Sequence, residues 1–314
     1  MITKDDILAA RERIRLHVHE TPLLTSARLG AGTGVTLRLK CESMQRTGSF
    51  KARGALNAMM QLSRAEKDRG VVTVSAGNHA QALAWAARQV GAECIAVMPE
   101  GASPSKVQAT ESYGGKVEIA AGEKRRAFER AQEIASAGRV MVHPFEDPRV
   151  AAGQGTVALE LLEQCKDLRA VVVPIGGGGL IAGIAVAIKA MAPGIRVIGV
   201  EPNGAATMHE SVAAGTPQNI APKTVADGLA APMVGEMTLE AVRRHVDDLV
   251  LVSDDEILAA MRDLMTYTKL VVEPAGAAAV AAIKTRKVSF DAGAQVAAII
   301  SGGNVDLERL KGLL

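Results

Sequence analysis

Residues 170–183 read AVVVPIGGGGLIAG, and this stretch decides what kind of fold the chain can form. An unbroken apolar run that meets consecutive glycines and then resumes is typical of a buried parallel strand, a tight turn and a helix. The run from Val171 to Ile188 carries no charge, but its glycines and Pro174 favour this structure over a membrane span. Glycine N–H groups at a helix start can approach an anion closely, so Gly176 to Gly179 predict a phosphate site.

The same alternation of strand and helix continues along the rest of the chain. The predicted strands are 35–40, 71–74, 94–98, 116–120, 140–142, 170–174, 196–200, 249–252 and 295–300. Apolar strands that alternate with helices call for parallel sheets covered on both faces. We therefore predict an α/β fold with two lobes, each an open, twisted, mainly parallel sheet covered by helices. Residues 65–146 would form the smaller domain and residues 1–64 with 147–314 the larger one, with a cleft between them.

Composition narrows the possible partners. The 314 residues carry a net charge of +2 with no basic run, which argues against nucleic acids and anionic membranes as partners. The three cysteines match neither a metal-binding spacing nor a disulfide framework. The first residues are charged, unlike a signal sequence. These features predict a cytoplasmic protein that acts on a small molecule.

A second informative stretch is RTGSFKARG, residues 46–54. Gly48 permits a tight turn and Ser49 is a good helix N-cap, which would place Lys51 in the first helical turn. The positive end of a helix and burial beside Phe50 both lower the pKa of an amine. A partly neutral lysine is a nucleophile that can form a Schiff base. On this stretch alone, an ordinary solvated lysine remains the alternative.

Two further polar turns follow predicted strands. In SAGNH, residues 75–79, the Ser75 hydroxyl, the Asn78 amide and the backbone N–H groups could hold a carboxylate or a phenolic oxygen. In SGGN, residues 301–304, the Ser301 hydroxyl could reach a ring nitrogen. Ligands of open α/β sheets bind beyond the carboxyl ends of strands, so the four turns are expected to converge.

The glycine turn alone leaves two kinds of phosphate ligand open. Gly177-x-Gly179-x-x-Ala182 satisfies a loose dinucleotide fingerprint, and Glu201 closes the next strand where a ribose-binding acid would stand. An NAD(P)-dependent dehydrogenase is therefore an alternative. It gives no role to Lys51, and its fingerprint lies in the middle of the chain.

Together the four turns resemble the fold type II pyridoxal-phosphate enzymes, and within them the serine/threonine dehydratase and serine racemase family. The resemblance rests on SFKARGA (49–55), SAGNHAQ (75–81), PIGGGGLIAG (174–183) and SGGN (301–304), in the family's order along essentially the whole chain. The short, catabolic-type threonine dehydratases are the most similar group. The resemblance implies a tryptophan-synthase-β-like fold, pyridoxal 5'-phosphate in the cleft, and a homodimer or homotetramer.

The resemblance also implies a role for each candidate residue. Lys51 would hold the cofactor as a Schiff base and, with Ser75, act in catalysis. The remaining cofactor contacts would be Phe50 on the ring, Asn78 on the ring hydroxyl, Gly176, Gly177, Gly178, Gly179 and Leu180 on the phosphate, and Ser301 on the pyridine nitrogen. The substrate would be bound by Ser75, Ala76, Gly77, His79 and Arg126. Tyr113 would border the site, and Glu273 would approach the cofactor ring.

The implied reaction converts L-threonine to 2-oxobutyrate and ammonia, and L-serine to pyruvate and ammonia. A serine racemase and a 3-hydroxyaspartate dehydratase remain alternatives. Ala76 stands where racemases of the family carry a serine, which favours elimination over racemisation. Thr207 stands where metal-activated members carry an aspartate, and Glu201 with a threonine is a poor site for a hard dication. The sequence therefore predicts no metal.

Overall fold

The computed structural model describes residues 2–122 and 124–314 and contains two separate β-sheets. The strands are β1 (Leu23–Thr25), β2 (Thr36–Lys40), β3 (Val71–Val74), β4 (Cys94–Pro99), β5 (Lys116–Ala120), β6 (Val140–Met141), β7 (Leu168–Pro174), β8 (Arg196–Pro202), β9 (Asp248–Val252) and β10 (Gln295–Ile299). The helices are α1 (Lys4–Ile14), α2 (Ala27–Gly30), α3 (Lys51–Met60), α4 (Arg64–Arg69), α5 (Asn78–Val90), α6 (Pro104–Ser112), α7 (Lys124–Ser136), α8 (Pro148–Gln164), α9 (Gly179–Met191), α10 (Thr207–Ala214), α11 (Glu236–His245), α12 (Asp254–Thr268), α13 (Pro274–Lys284) and α14 (Leu307–Leu313).

The two sheets confirm the predicted α/β fold class. The larger has the strand order β1-β2-β10-β7-β8-β9 and the smaller the order β5-β4-β3-β6. Every described pair of neighbouring strands is parallel except β1 with β2. We call the four-stranded sheet with α5, α6 and α7 the small lobe, and the rest the large lobe. The small-lobe strands lie between residues 71 and 141, and the domain boundaries at 65 and 146 stay predictions.

Helices cover both faces of the large sheet, which explains why its strands are continuously apolar. On β7, Ala170 and Val172 pack into the core that α12 and α13 complete. Val171 and Val173, which point the other way, pack into the core formed with α8 and α9. Alternate residues of one strand therefore contribute to two different cores. Within the described residues, no helix is long and apolar enough to span a membrane.

Glycines bring three helices of the large lobe into close contact. A Cβ atom at Gly153 of α8 would lie 2.6 Å from the Cα of Gly54 on α3. A Cβ atom at Gly155 would lie 2.9 Å from the carbonyl oxygen of Gly183 on α9. Only residues without a side chain allow this approach. As a result, α3 and α9, which follow two of the predicted site turns, are held against the same helix.

Helix α5 connects the small lobe to these helices of the large lobe. Leu83 of α5 belongs to the same buried core as Leu56 and Met59 of α3. Trp85, the single tryptophan of the sequence, packs against that core from α5 and is partly buried. Helix α5 therefore packs directly against α3.

Candidate active site

The four turns converge on one cleft of about 370 Å³ that lies between the two lobes. Each turn follows a strand at the carboxyl edge of a sheet, where open α/β sheets place their ligands. The predicted site residues that line the cleft are Phe50, Lys51, Ser75, Ala76, Gly77, Asn78, His79, Gly176, Gly177, Gly178, Gly179, Leu180 and Ser301.

Lys51 is the first residue of α3 and lies half-buried in the cleft. Its Nζ donates a hydrogen bond to the Pro144 carbonyl oxygen at 2.8 Å and lies 5.1 Å from the centre of the Phe50 ring. Burial lowers the pKa of the amine to about 8. A substantial fraction of Lys51 is therefore neutral, and nucleophilic, near physiological pH.

The prediction that Ser49 caps α3 is wrong. Phe50 occupies the N-cap position without a side-chain hydrogen bond, and Ser49 is extended and bridges to Gly302. Tertiary pairing of the Ser49 backbone thus overrides its local capping preference. The tight turn before it is confirmed, since Thr47 and Gly48 both have positive φ, at 58° and 71°.

A buried cluster of four charges anchors α3 behind Lys51. The Arg53 guanidinium donates to the carboxylates of Glu42 and Glu160 at 2.6–2.9 Å. The Lys40 ammonium lies 2.5 Å from Glu160, which brings two cations and two carboxylates together. Removing any member would leave an unpaired buried charge. The cluster therefore fixes the first turn of α3, and with it the backbone that carries Lys51.

The glycine turn between β7 and α9 is enclosed by its neighbours. A Cβ atom at Gly177 would overlap the Phe145 ring, and one at Gly178 would lie 2.7 Å from Met208 Cε and 2.8 Å from Thr238 Cβ. Gly178 also has a φ of 92°. The described residues supply no acceptor for the backbone N–H groups of this turn. Free N–H groups at the start of a long helix fit a phosphate.

The turn from Ser75 to Asn78 is open by contrast. The Gly77 N–H donates to Ser75 Oγ at 3.2 Å, and no heavy atom beyond its neighbours lies within 4 Å of a Cβ built at Gly77. His79 donates from Nε2 to the Val142 carbonyl oxygen at 3.2 Å. Burial, and then the charge of Lys51, lower the pKa of His79 to about 3. This imidazole is therefore neutral, and its one N–H group is committed to Val142.

The floor of the cleft carries Ser301 and a buried carboxyl group. Ser301 Oγ has a long contact of 3.4 Å to the Ala275 carbonyl oxygen, which leaves its hydroxyl available. Glu273 accepts a hydrogen bond from Asn78 at 2.7 Å. Burial, and then the nearby Asp227, raise the pKa of Glu273 to about 7.

The structure does not bring Arg126 or Tyr113 to the cleft. Arg126 lies on α7, where its guanidinium pairs with Glu129 at 2.7 Å, and about half of its side chain is exposed. Tyr113 follows α6 and packs against the core shared with α3. Neither residue is among those that line the cavity.

Several residues that line the cleft were given no role in the sequence-based prediction, among them Lys106, Phe145, Asp227 and Asn304. Lys106 of the small lobe lies 2.5 Å from Asp227 of the large lobe. Phe145 forms a wall of the glycine turn, and Asn304 bonds to Asn78. Two signals were available, since Phe145 is one of only four phenylalanines and Asn304 closes the SGGN turn.

Glu201 and Thr207 are occupied elsewhere. The Glu201 carboxylate accepts N–H groups of Met208 and His209 at the start of α10, each at 2.8 Å. The Thr207 hydroxyl donates to the Ala231 carbonyl oxygen at 2.7 Å. Because its oxygens cap a helix and it does not line the cleft, Glu201 does not offer the ribose contact that a dinucleotide site needs.

Known proteins resemble the chain over nearly its full length. The family model described as pyridoxal-phosphate dependent enzyme matches residues 14–302. The L-threonine ammonia-lyase of Thermotoga maritima is 44% identical over 99% of this chain and 77% of its own. The beta-hydroxyaspartate dehydratase of Paracoccus denitrificans is 43% identical over 98% of both chains. The structure of maize serine racemase matches with a TM-score of 0.95 and 39% identity, over 99% of this chain and 96% of that one.

Proposed function

This chain belongs to the pyridoxal-phosphate dependent enzyme family, and from that premise we propose that it is an ammonia-lyase for L-threonine and L-serine. The products are 2-oxobutyrate and ammonia from threonine, and pyruvate and ammonia from serine. The observation that carries the proposal is the presence, in one cleft, of a partly neutral Lys51 and a helix start with free N–H groups.

The residues of the cleft fit the cofactor group by group. The N–H groups of Gly176 to Gly179 suit its phosphate, and the Lys51 amine suits its aldehyde. The Ser301 hydroxyl, with only a long internal contact, suits the ring nitrogen. Asn78 is the proposed partner of the ring hydroxyl and Phe50 of the ring face.

Pyridoxal phosphate, when bound, supplies an aldehyde that joins to amines and a ring that accepts electrons as a substrate Cα–H bond breaks. Lys51 is the proposed covalent attachment point and, when free, the base that takes the α-proton at Nζ. The Pro144 carbonyl oxygen at 2.8 Å stabilises the protonated amine. The substrate loses its α-hydrogen and β-hydroxyl as water, and the enamine takes up water and releases ammonia.

The charges of the cleft favour a substrate with an uncharged side chain. The substrate α-carboxylate is assigned to Ser75, Ala76, Gly77 and His79, at the start of α5. Lys106 also lines the cleft, but its ammonium is paired with Asp227 at 2.5 Å. A β-carboxylate would have to compete with Asp227 for Lys106 while meeting its negative charge. This supports threonine and serine over 3-hydroxyaspartate, the substrate type in the name of the Paracoccus relative.

Ala76 supports elimination over racemisation. It lines the cleft beside Ser75 and carries no exchangeable proton. Racemisation needs a proton donor on the side of the substrate opposite Lys51, whereas elimination needs only a base and a leaving hydroxyl. A racemase is therefore the weaker candidate, despite the likeness to the maize structure.

Assembly and location complete the proposal. A homodimer or homotetramer in the cytoplasm is what the resemblance and the composition support. Met44 and Val271 are exposed apolar residues, and their exposure is consistent with a subunit contact. Light scattering of the purified protein should give the mass of two or four chains. The mass of a single chain would contradict this assembly.

The proposed function is tested by colour, covalent trapping and substrate choice. The purified protein should be yellow, and borohydride should fix the cofactor to the peptide that contains Lys51. Steady-state assays should rank threonine and serine above 3-hydroxyaspartate in kcat/KM. A colourless protein that takes up no pyridoxal phosphate but binds NAD would be a dehydrogenase instead.

A further inference from the structure

A continuous run of hydrogen bonds joins the two lobes at the floor of the cleft. Asn304 Nδ2 donates to the Thr47 carbonyl oxygen at 2.7 Å and to Asn78 Oδ1 at 2.8 Å. Asn78 Nδ2 in turn donates to Glu273 Oε1 at 2.7 Å. Asn78 begins α5 of the small lobe, whereas the other three residues belong to the large lobe.

The Thr47 carbonyl sets the direction of the whole run. A carbonyl oxygen only accepts hydrogen bonds, so the Asn304 atom beside it must be the amide nitrogen. The second N–H of that nitrogen faces Asn78, whose nearest atom must then be the oxygen. The Asn78 nitrogen consequently faces the Glu273 carboxyl group. Exchanging oxygen and nitrogen in either amide would break two of the three bonds.

This direction determines what Asn78 offers to a ligand. An amide nitrogen carries two hydrogens, and Glu273 is the acceptor found for one of them among the described residues. The other N–H remains for the cleft, which Asn78 lines. With the amide reversed, the cleft would meet a carbonyl oxygen, which repels an anionic ring oxygen.

The packing around the run shows that it is built into the fold. Glu273 is only 6% exposed, and its own N–H donates to the Gly302 carbonyl oxygen at 3.2 Å. A Cβ atom at Gly302 would overlap Glu273 Oε1 and lie 3.3 Å from Asn78 Nδ2. The first glycine of the SGGN turn, Gly302, therefore leaves the space that the Asn78–Glu273 bond occupies.

We propose that Asn304 is a positioning residue that, anchored on the Thr47 carbonyl, orients the Asn78 amide so that it presents an N–H group to the cofactor's ring oxygen. The inference rests on the proposed function, because it takes pyridoxal phosphate as the ligand of Asn78. It assigns the last residue of the SGGN turn a role that acts wholly through a residue of the other lobe.

A double-mutant cycle on cofactor affinity tests this role without measuring turnover. The apoprotein is titrated with pyridoxal phosphate, and binding is followed by absorbance. Asn304→Ala should weaken binding about tenfold, which corresponds to roughly 1.4 kcal/mol. Asn78→Ala should weaken it at least as much. If Asn304 acts through Asn78, the double variant should bind no more weakly than Asn78→Ala alone.

Two further variants control for folding and for nonspecific effects. Asn304→Asp keeps the side-chain volume but cannot donate to Thr47, so it should weaken binding at least as much as Asn304→Ala. Asn203→Ala, at an exposed position away from the cleft, should leave the affinity unchanged. The thermal midpoint of each apoprotein shows that the fold is intact.

The outcomes separate this inference from the function on which it rests. The positioning role alone would be overturned if the losses of cofactor affinity add in the double variant, or if Asn304→Asp binds the cofactor normally. Failure of the unmutated apoprotein to bind pyridoxal phosphate would overturn the proposed function and this role together.

Discussion

Two strand-to-helix turns bound the cleft, and their shapes are maintained in different ways. At Gly176–Gly179 the surrounding side chains, chief among them Phe145, fill the space in which further side chains would lie. At Ser75–Asn78 the corresponding space is empty, because nothing beyond the neighbouring residues approaches a Cβ built at Gly77. The first turn is enclosed by packing from several elements, whereas the second has room for a side chain at Gly77.

This difference matches what the two turns are proposed to bind. A phosphate cradle has to fit one cofactor, and its enclosed shape leaves no freedom for other residues. A substrate turn can accept other side chains without disturbing the core, so substrate preference can change there while the fold stays the same. The two relatives and the maize structure, which share this fold and carry three different activity names, are consistent with that division.

The largest expected effect is the difference in cofactor affinity between variants that add one methyl group to each turn. Gly177→Ala should reduce cofactor affinity at least ~100-fold, equivalent to about 2.7 kcal/mol, because its Cβ overlaps the Phe145 ring. Gly77→Ala, the matched control, should change affinity less than ~3-fold and leave the thermal midpoint unchanged. Titration of both apoproteins with pyridoxal phosphate measures the contrast, and equal affinities would abolish the distinction between the turns.

The wall of the enclosed turn should respond to acid. His143 Nδ1 accepts the Glu146 N–H at 2.9 Å, and its ring stacks edge-on against Phe145 at 4.6 Å. Burial, and then Lys51, lower the pKa of His143 from 6.5 to about 4, so the stability it contributes is lost as pH falls through this range. His143→Asn keeps a hydrogen-bond acceptor, its amide oxygen, but has no group that titrates in this range. Between pH 6.5 and 4.5 its free energy of unfolding in urea should therefore fall by roughly 2 kcal/mol less than that of the unmutated protein.

Two carboxyl groups with a raised pKa change the stability in the opposite direction over the same pH range, and the comparison with the unmutated protein removes their effect. Glu201 and Glu273, both with a pKa of about 7, are protonated more readily in the folded state, so they favour folding at the acid end of the window. They are present in both proteins and cancel in the comparison. A variant as acid-sensitive as the unmutated protein would show that His143 does not support this wall.

A single hydrogen bond at the cleft floor should matter less than the enclosed turn. Ser301→Ala removes the one hydroxyl that is proposed to contact the ring nitrogen, at a cost of roughly 0.5–1.5 kcal/mol. It should therefore lower kcat more than it lowers cofactor content, measured by absorbance after dialysis. Loss of cofactor from Ser301→Ala while Gly177→Ala retains it would reverse the roles assigned to the two turns.

The smallest expected effect lies in the open turn. Ala76→Ser introduces a hydroxyl that can donate a proton, at a position that lines the cleft. D-serine formed from L-serine should rise severalfold relative to pyruvate, while cofactor affinity stays the same. Comparable D-serine and pyruvate rates in the unmutated protein would defeat the argument, and an unchanged ratio in Ala76→Ser would mean that another group protonates that side.

Nine of the ten described strands and the four turns were predictable because their signals are local, whereas the short edge strand β1 was not predicted. Each turn combines an apolar strand with a run of glycine or small polar residues in the same short stretch. Contacts between distant residues were not predictable in this way. Asn304 and Asn78 are separated by 226 positions in the sequence, and Lys106 and Asp227 by 121, so no local pattern predicts either contact.

The failed capping prediction and the placement of Arg126 have related causes. Ser49 has the local preference of a cap, but the bridge to Gly302 holds it extended. Arg126 was proposed from resemblance, and its nearest carboxylate is one turn along its own helix at Glu129. The Ser49 partner is visible only in three dimensions, whereas the Arg126 partner lies three residues along the same helix.

The scarcity of aromatic residues has an optical consequence. Trp85 is the single tryptophan, and it lies on α5, the helix that begins at Asn78 and carries the small lobe. Its emission overlaps the absorption of a pyridoxal chromophore, so excitation energy passes between them with an efficiency set by their separation and orientation. A movement of α5 relative to the cleft would change that efficiency. The unmodified protein can therefore report any such movement by fluorescence, without an attached label.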